Sequence, residues 1–510
     1  MRQTPAVDDT VPPQSRARQQ AGVGGFFSIF FYAALLISPA LGANCEQLKS
    51  LSLPNTTITG VRSVAQNLDL PAYCEVDATL RPSSDSDIKI EVWLPLSGWN
   101  GKYQAVGNGG WSGSINWGAM EAALRRGYAT SSTDTGHQGN SASFALGHPE
   151  KLIDYAWRSE HEMTVKAKAI IAAFYGNGAK LSYWNGCSAG GKQAMKEAQR
   201  FPDDFDGIVA GSPGLDWVAR ATLAMWVAQA VHKDDASYIP PEKYQVIHNA
   251  ALDACDAADG LKDGVIEDPA RCAFDPKTIE CKGADEPSCL TAPQVEAARK
   301  IYAGPGRGIA PGLSPGSEPG WKTFAGPQPF AIGFDYFKYV VFEDPNWNFR
   351  TLNFDSDIVR AKKLDADRIN ATDPDLNAFR KHGGKLLQYH GWSDPQIPPA
   401  SSVAYYRSVL ETLGPSVPDF YRLFMVPGMA HCGGGDGVNE FDMVDALEQW
   451  VEHNKAPAQI LASRKRDGKV NRTRPLCPFP QVSRYKGTGN PDDAASFTCV
   501  SSPTASPHDR

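Results

Sequence analysis

The sequence predicts an α/β fold, a mostly parallel sheet flanked by helices with a large insertion, and three observations carry that expectation. Strand and helix signals alternate on both sides of a central stretch. Within that stretch, 215–375, the alternation gives way to Pro, Gly, Asp and four clustered cysteines. A serine also stands between glycines where a strand signal meets a helix signal.

The chain has 510 residues, beyond the size of one ordinary hydrophobic core, which suits a core with an insertion. Hydrophobic residues make up 42% and charged residues 21%, the balance of a globular protein. With a net charge of -7 and a pI near 5.8, no basic excess exists to displace counterions from a phosphate backbone, so nucleic acid is excluded as a partner.

Residues 1–43 read as an export leader. Arg16 and Arg18 precede an apolar run over 26–37, and the small residues Pro39, Ala40, Leu41, Gly42 and Ala43 follow, with cleavage expected after Gly42 or Ala43. The run falls short of the ~20 residues of a spanning helix. An uncleaved anchor is the alternative, because the segment before the run is long. Export predicts a secreted or periplasmic protein without stable membrane association once the leader is removed. The ten cysteines all lie beyond the leader, in a compartment where disulfides persist.

The first part of the core is expected over 44–214. Strands are predicted at 88–94 and 102–106, the second ending in the loop Gly107, Asn108, Gly109, Gly110. A helix over 160–175, a strand over 181–184, a helix over 190–200 and a short buried strand over 207–210 follow. The insertion over 215–375 is expected to form a lid. The second part, 376–510, resumes the alternation with strands at 385–390 and 421–426 and a helix at 441–453. The last ten residues are polar.

The chemistry-bearing motif is Gly186, Cys187, Ser188, Ala189, Gly190, the G-x-S-x-G spacing of an α/β-hydrolase. Small neighbours allow the crowded turn that lifts the serine hydroxyl above the sheet, and the helix N-terminus behind it favours developing negative charge. The acid and the base of such a fold follow the nucleophile, each just beyond a strand. Asp394 and His431 meet that order, so Ser188, His431 and Asp394 are expected to act as nucleophile, base and orienting acid, with Asp436 as the alternative acid. His137, His148 and His161 precede the nucleophile, His390 precedes the acid, and His453 lies in an amphipathic helix.

Acyl transfer also needs donors for the tetrahedral oxyanion. The amide of Ala189 supplies one, and Gly109 or Gly110, in the only glycine-rich loop so placed, the other. Cys187 and Cys432 flank the nucleophile and the base, and a bridge between them would suit the approach of Ser188 to His431; spacing equally permits other partners. In the insertion, Asp256, Asp259 and Asp263 crowd three carboxylates among glycines, a pattern equally suited to a hard cation and to a solvated acidic loop.

These segments resemble the tannase and feruloyl esterase family of α/β-hydrolases. Cys187-Ser188, Asp394 and His431-Cys432 look like its paired signature, and 98–110 and 342–347 are similar to family segments. The resemblance implies a structural Ca²⁺ held by Asp256, Asp259 and Asp263 side chains and by Leu261 and Val265 carbonyls, with no organic cofactor. It implies the bridges Cys45 to Cys74, Cys187 to Cys432, Cys255 to Cys272, Cys281 to Cys289 and Cys477 to Cys499. It also implies a small aromatic ester as substrate, feruloyl or galloyl, attached to plant polysaccharide or tannin.

Terephthalate mono-ester cleavage is an alternative that the resemblance ties to a lid arginine; the matching stretch, 334–339, has none. A non-catalytic binder and acyl transfer to another acceptor are the remaining alternatives. Trp321, Phe337 and Tyr339 are lid candidates for covering an aromatic ring.

Overall fold

The computed structural model describes residues 44–502 except 68 and 307; the expected leader and the last residues, 503–510, lie outside the described residues. Nine strands form one sheet: β1 (Thr56–Val64), β2 (Tyr73–Leu80), β3 (Ile88–Pro95), β4 (Lys102–Val106), β5 (Ala129–Thr133), β6 (Leu181–Cys187), β7 (Gly207–Gly211), β8 (Lys385–Gly391) and β9 (Tyr421–Val426). Their spatial order is β1-β2-β3-β5-β4-β6-β7-β8-β9. The pairs from β5 through β9 are parallel, while β1, β2 and β3 join antiparallel at one edge.

Successive side chains of a strand face opposite ways, so each central strand feeds two apolar layers. Trp184, Ile208 and Leu386 pack on one face with Ile170, Met195 and Val409, from the helices Ser159–Tyr175, Ala189–Arg200 and Ala400–Leu413. Their chain neighbours Tyr183, Val209 and Leu387 pack on the other face with Leu447 and Trp450 of the helix Met443–His453. Two-sided burial explains why these strands read as short apolar runs.

β7 and β8 are parallel neighbours, yet the chain between them leaves the sheet over 212–384. That segment contains helices, short 3₁₀ turns and no sheet strand among the described residues. Its own apolar cluster includes Trp217, Val227, Ile247, Ile301, Trp321 and Phe337, and continues into Trp111, Tyr155 and Ala189 of the sheet side. The helical segment and the turn at Ser188 therefore share one packed interior.

Beyond β9, β10 (Ile460–Arg466) pairs with β11 (Lys469–Leu476), and β12 (Gln481–Tyr485) with β13 (Phe497–Ser501). Five disulfides join Cys45 to Cys74, Cys187 to Cys432, Cys255 to Cys272, Cys281 to Cys289 and Cys477 to Cys499. No helix among the described residues is long and apolar enough to cross a membrane.

Candidate active site

The turn after β6 is built around contacts that only glycine admits. A β-carbon on Gly186 would lie 2.5 Å from the Gly190 carbonyl oxygen, and one on Gly191 would lie 2.3 Å from that of Gly211. Ser188 itself adopts φ 65° and ψ -119°, a conformation costly for a residue with a side chain. The Ser188 amide donates to Gly211 O at 2.9 Å, and the helix Ala189–Arg200 starts at once behind it. Strain at this residue is thus fixed by the strand on one side and the helix on the other.

Three side chains distant in sequence meet there. His431 Nε2 is 2.8 Å from Ser188 Oγ, and His431 Nδ1 is 2.7 Å from Asp394 Oδ2. A carboxylate only accepts, so the Nδ1 proton faces Asp394 and Nε2 is left to accept from the serine hydroxyl. Asp394 is fully buried, and its Oδ1 accepts from the amides of Gln396 (2.8 Å) and Ile397 (3.0 Å). Burial alone would raise its pKa, but the charge of His431 and the hydrogen bonds of His390 and His431 hold it well below the usual carboxylate range. Cys187 and Cys432 are bonded with their α-carbons 6.0 Å apart, which ties the residue before the serine to the residue after the histidine.

His390, set aside as a base because it precedes the acid, touches the acid instead. Its Nε2 lies 3.1 Å from Asp394 Oδ2 and 3.0 Å from Ile397 O, two acceptors that require Nε2 to carry the proton. Its Nδ1 then accepts from Ser402 Oγ at 2.7 Å, and that oxygen accepts from Gln388 Nε2 at 2.6 Å. Tyr421 donates its hydroxyl to Gln388 Oε1. A buried chain of hydrogen bonds therefore runs from Tyr421 through Gln388, Ser402 and His390 to the acid. A histidine at a strand end four residues before the acid was the only signal.

Asp436, the alternative acid, turns elsewhere: it pairs with His248 Nε2 at 3.3 Å, and His248 Nδ1 bonds Glu318 Oε2 at 2.9 Å. The other histidines also have separate partners. His137 Nε2 meets Trp111 O at 2.8 Å, His148 pairs with Asp85, and His161 with Asp204.

Facing the turn at Ser188 is the loop after β4. A β-carbon on Gly107 would lie 2.5 Å from Gly190 Cα, and the Gly190 amide donates to Asn108 O at 2.7 Å. Asn108 is anchored by Nδ2 to Ser114 O and Thr133 O, and its amide donates to Gln193 Oε1 at 3.0 Å. Tyr155 donates its hydroxyl to Gly110 O at 2.6 Å. The amides of Ala189, Gly109 and Gly110 donate to no group among the described residues, so all three remain available as donors. Gly110 has φ 52°, and a β-carbon there would lie 2.8 Å from Ile332 Cδ1. The loop is thus held from the sheet side, with Ile332 of the segment 212–384 against it.

Two of the aromatic candidates for covering a ring need correction. Trp321 and Phe337 are completely buried, Trp321 with its Nε1 on Ser317 Oγ and Phe337 stacked on Trp347, so both pack in the interior of the segment 212–384 and present no exposed face. Tyr339 is half-buried. The aliphatic Ile332, which carried no signal in the sequence, is a side chain of the segment 212–384 that lies against Gly110.

In the acidic loop, the buried Asp256 accepts from the amides of Asp263 (3.0 Å) and Gly264 (2.8 Å), and Asp259 accepts from Leu261 N at 2.9 Å. Asp263 Oδ2 pairs with Arg474 at 2.7 Å and Arg472 at 3.3 Å. Gly260 and Gly264 take φ 95° and 82°, the turns the loop requires. The carbonyls of Leu261 and Val265 accept no hydrogen bond among the described residues, although Val265 is buried. Nearby Glu267 is pushed up to about 8 by burial and by the charges of Asp259 and Asp263. Orphaned carbonyls beside like-charged carboxylates fit a hard cation, while Asp263 already has cationic partners.

Comparison with known proteins places this geometry. A family model described as "Tannase and feruloyl esterase" matches residues 74–500. An uncharacterized esterase of Xanthomonas campestris pv. campestris is 38% identical, covering 92% of this chain and 93% of its own. A probable feruloyl esterase B-2 of Aspergillus terreus is 36% identical over 88% of this chain and 89% of its own. The crystal structure of feruloyl esterase B from Aspergillus oryzae superposes with a TM-score of 0.84 at 32% identity, covering 89% of this chain and 99% of that one. Tannin acyl hydrolase from Aspergillus niger, at 23% identity and a TM-score of 0.75, shares the fold. With its α/β-hydrolase core and this match over most of its length, the chain belongs to the tannase and feruloyl esterase family and is a carboxylic ester hydrolase.

Proposed function

We propose that this aromatic ester hydrolase works through an acyl-enzyme on Ser188 and prefers feruloyl, related hydroxycinnamoyl or galloyl esters. The observation that carries the mechanism is the continuous line from Asp394 through His431 to Ser188, with both hydrogen bonds below 3 Å. His431 Nε2 takes the serine proton as Oγ attacks the ester carbonyl, and the resulting oxyanion is met by the amides of Ala189 and of Gly109 or Gly110. His431 then returns the proton to the leaving alcohol. Water, deprotonated by the same nitrogen, releases the aromatic acid.

The substrate class rests on the relatives, whose names give feruloyl esterases and a tannin acyl hydrolase. The lid stretch 334–339 presents Lys338 and no arginine, which weighs against a terephthalate mono-ester as the main substrate. Attachment of the ester to plant polysaccharide or tannin suits a secreted or periplasmic enzyme, and five disulfides support such an oxidising compartment. Asp256, Asp259 and Asp263, with the carbonyls of Leu261 and Val265, would hold a Ca²⁺ that stiffens the lid and takes no part in the reaction.

Initial rates on methyl ferulate, methyl gallate and mono(2-hydroxyethyl) terephthalate test the preference. The proposal expects ferulate or gallate to be cleaved at least about tenfold faster than the terephthalate, a difference of ~1.4 kcal/mol in transition-state binding. A terephthalate rate above both would overturn it.

A further inference from the structure

The nucleophile helix Ala189–Arg200 ends beside an acidic cluster that the esterase chemistry does not use. Glu197, near the end of that helix, is 1% exposed; no donor group among the described residues reaches either of its carboxylate oxygens, and its carboxyl instead faces that of Asp204 within hydrogen-bonding reach. A buried, unpartnered carboxylate is strongly unfavourable, so this side chain requires either a proton or a cation. Two further ligand types face it. His161, on the helix Ser159–Tyr175, and Asp204, in the turn leading to β7, each place a ligand atom so that all three atoms lie within 4.8 Å of one another.

We propose that His161, Glu197 and Asp204 form a second metal site, for a divalent transition cation such as Zn²⁺. One imidazole with two carboxylates is a mixed nitrogen and oxygen set, which suits zinc and disfavours calcium, whose sites are built from oxygen alone. Water completes the shell. The ring is held in place: His161 lies flat on Phe201, with ring centroids 3.8 Å apart and planes at 9°, and its Nδ1 is hydrogen-bonded to Asp204 Oδ2 at 2.6 Å, a bond that the cation would replace. Lys168 donates to the Asp204 backbone carbonyl, fixing the turn while leaving the carboxylate to the cluster.

Entry is open, since the His161 and Asp204 side chains are 28% and 14% exposed. The ion would pin the C-terminal end of the nucleophile helix to its neighbour, a structural role remote from the ester-cleaving groups.

The competing arrangement is a single proton shared between Glu197 and Asp204. Full-length protein stripped with a chelator, returned to saturating Ca²⁺ and titrated with ZnCl₂, separates the two. Wild type is expected to take up one zinc per chain and to gain thermal stability. Glu197→Gln, close to isosteric, and His161→Ala are each expected to weaken zinc binding by about tenfold or more, to lose the thermal gain, and to keep aromatic esterase activity. Circular dichroism establishes that each variant is folded. Absence of zinc uptake by wild type, or uptake by both variants with wild-type affinity, overturns the proposal.

Discussion

Replacing both Cys187 and Cys432 by serine removes a cross-link while leaving every member of the hydrogen-bonded triad in place. The two residues are 245 apart in sequence, and the bridges Cys255–Cys272 and Cys281–Cys289 shorten the enclosed loop little, since they close only 17 and 8 residues. The chain-entropy relation for a loop of that length gives a stabilisation of ~5.5 kcal/mol against the unfolded chain, the largest of the five bridges. Relaxation of the reduced native state lowers the measured value, so a loss of about 3 to 5 kcal/mol is expected. The same bridge joins the neighbours of Ser188 and His431, whose contact is 2.8 Å. Freed loops that drift by ~1 Å cost about a hundredfold in rate. The assay pairs urea denaturation with kcat and KM on methyl ferulate, at a temperature where the variant remains folded. The expected result is a lower midpoint and a kcat reduced by tenfold to a hundredfold, with KM nearly unchanged. A variant with wild-type kcat would refute the claim that the bridge holds the catalytic pair in register.

Asp394→Asn presents an amide where the His431 Nδ1 proton needs an acceptor, and kcat is expected to fall by about 10⁴ with KM and folding preserved; a loss below tenfold would contradict the orienting role. His390→Gln keeps a donor toward Asp394 and should cost far less, whereas His390→Leu, which leaves Asp394 short of a hydrogen bond inside the core, should lower the denaturation midpoint. His248 supplies a pH test. Burial opposes its charge, but hydrogen bonds to Asp436 and Glu318 outweigh that and raise it from 6.5 to about 9. A group raised on folding stabilises fully below its unfolded value and loses that contribution as pH climbs through the folded one. Stability should therefore decline between pH 6.5 and 9, by on the order of 2 kcal/mol once screening at the half-exposed Asp436 is allowed for. The decline should vanish in His248→Gln; an identical pH profile would remove His248 as its source. Calcium removal by EGTA should lower the melting temperature and increase proteolysis within 255–272, while kcat at low temperature stays within about twofold. Unchanged melting would reject the cation site.

Legibility followed burial and local motif. β9 was readable to the residue because its mostly apolar run faces two cores, β4 because it runs straight into the glycine-rich loop 107–110, and the turn at Ser188 because its glycines are demanded by 2.3 to 2.5 Å approaches. β5 was not. Its sequence, Ala-Thr-Ser-Ser-Thr, contains no apolar run, yet it is wholly buried. Three of its four hydroxyls find partners that no spacing announces: Ser131 with the Tyr103 hydroxyl at 2.7 Å, Ser132 with the Asn116 amide at 3.0 Å, and Thr133 with Lys89 O at 3.0 Å, while Thr130 Oγ1 has none among the described residues. β1 and β2 escaped as well. β1 is exposed along much of its length, whereas β2 does alternate apolar Cys74, Val76, Ala78 and Leu80 with polar Glu75, Asp77 and Thr79, a strand signal the expected elements left out. Within the site, chain order indicated Ser188, Asp394 and His431, but it could not reveal that His390 shares the acid. That contact depends on the register of β8 against the loop 394–397, a tertiary fact. The lid aromatics misled because an aromatic residue reads alike whether it fills an interior or lines a cleft.

Mass spectrometry of protein quenched during turnover of an aryl ferulate tests the central chemical claim most directly. The account predicts a feruloyl adduct on the peptide containing Ser188, trapped in wild type, absent from Ser188→Ala, and accompanied in that variant by loss of nearly all hydrolysis with folding intact. An adduct on another residue, or undiminished hydrolysis by folded Ser188→Ala, would contradict it.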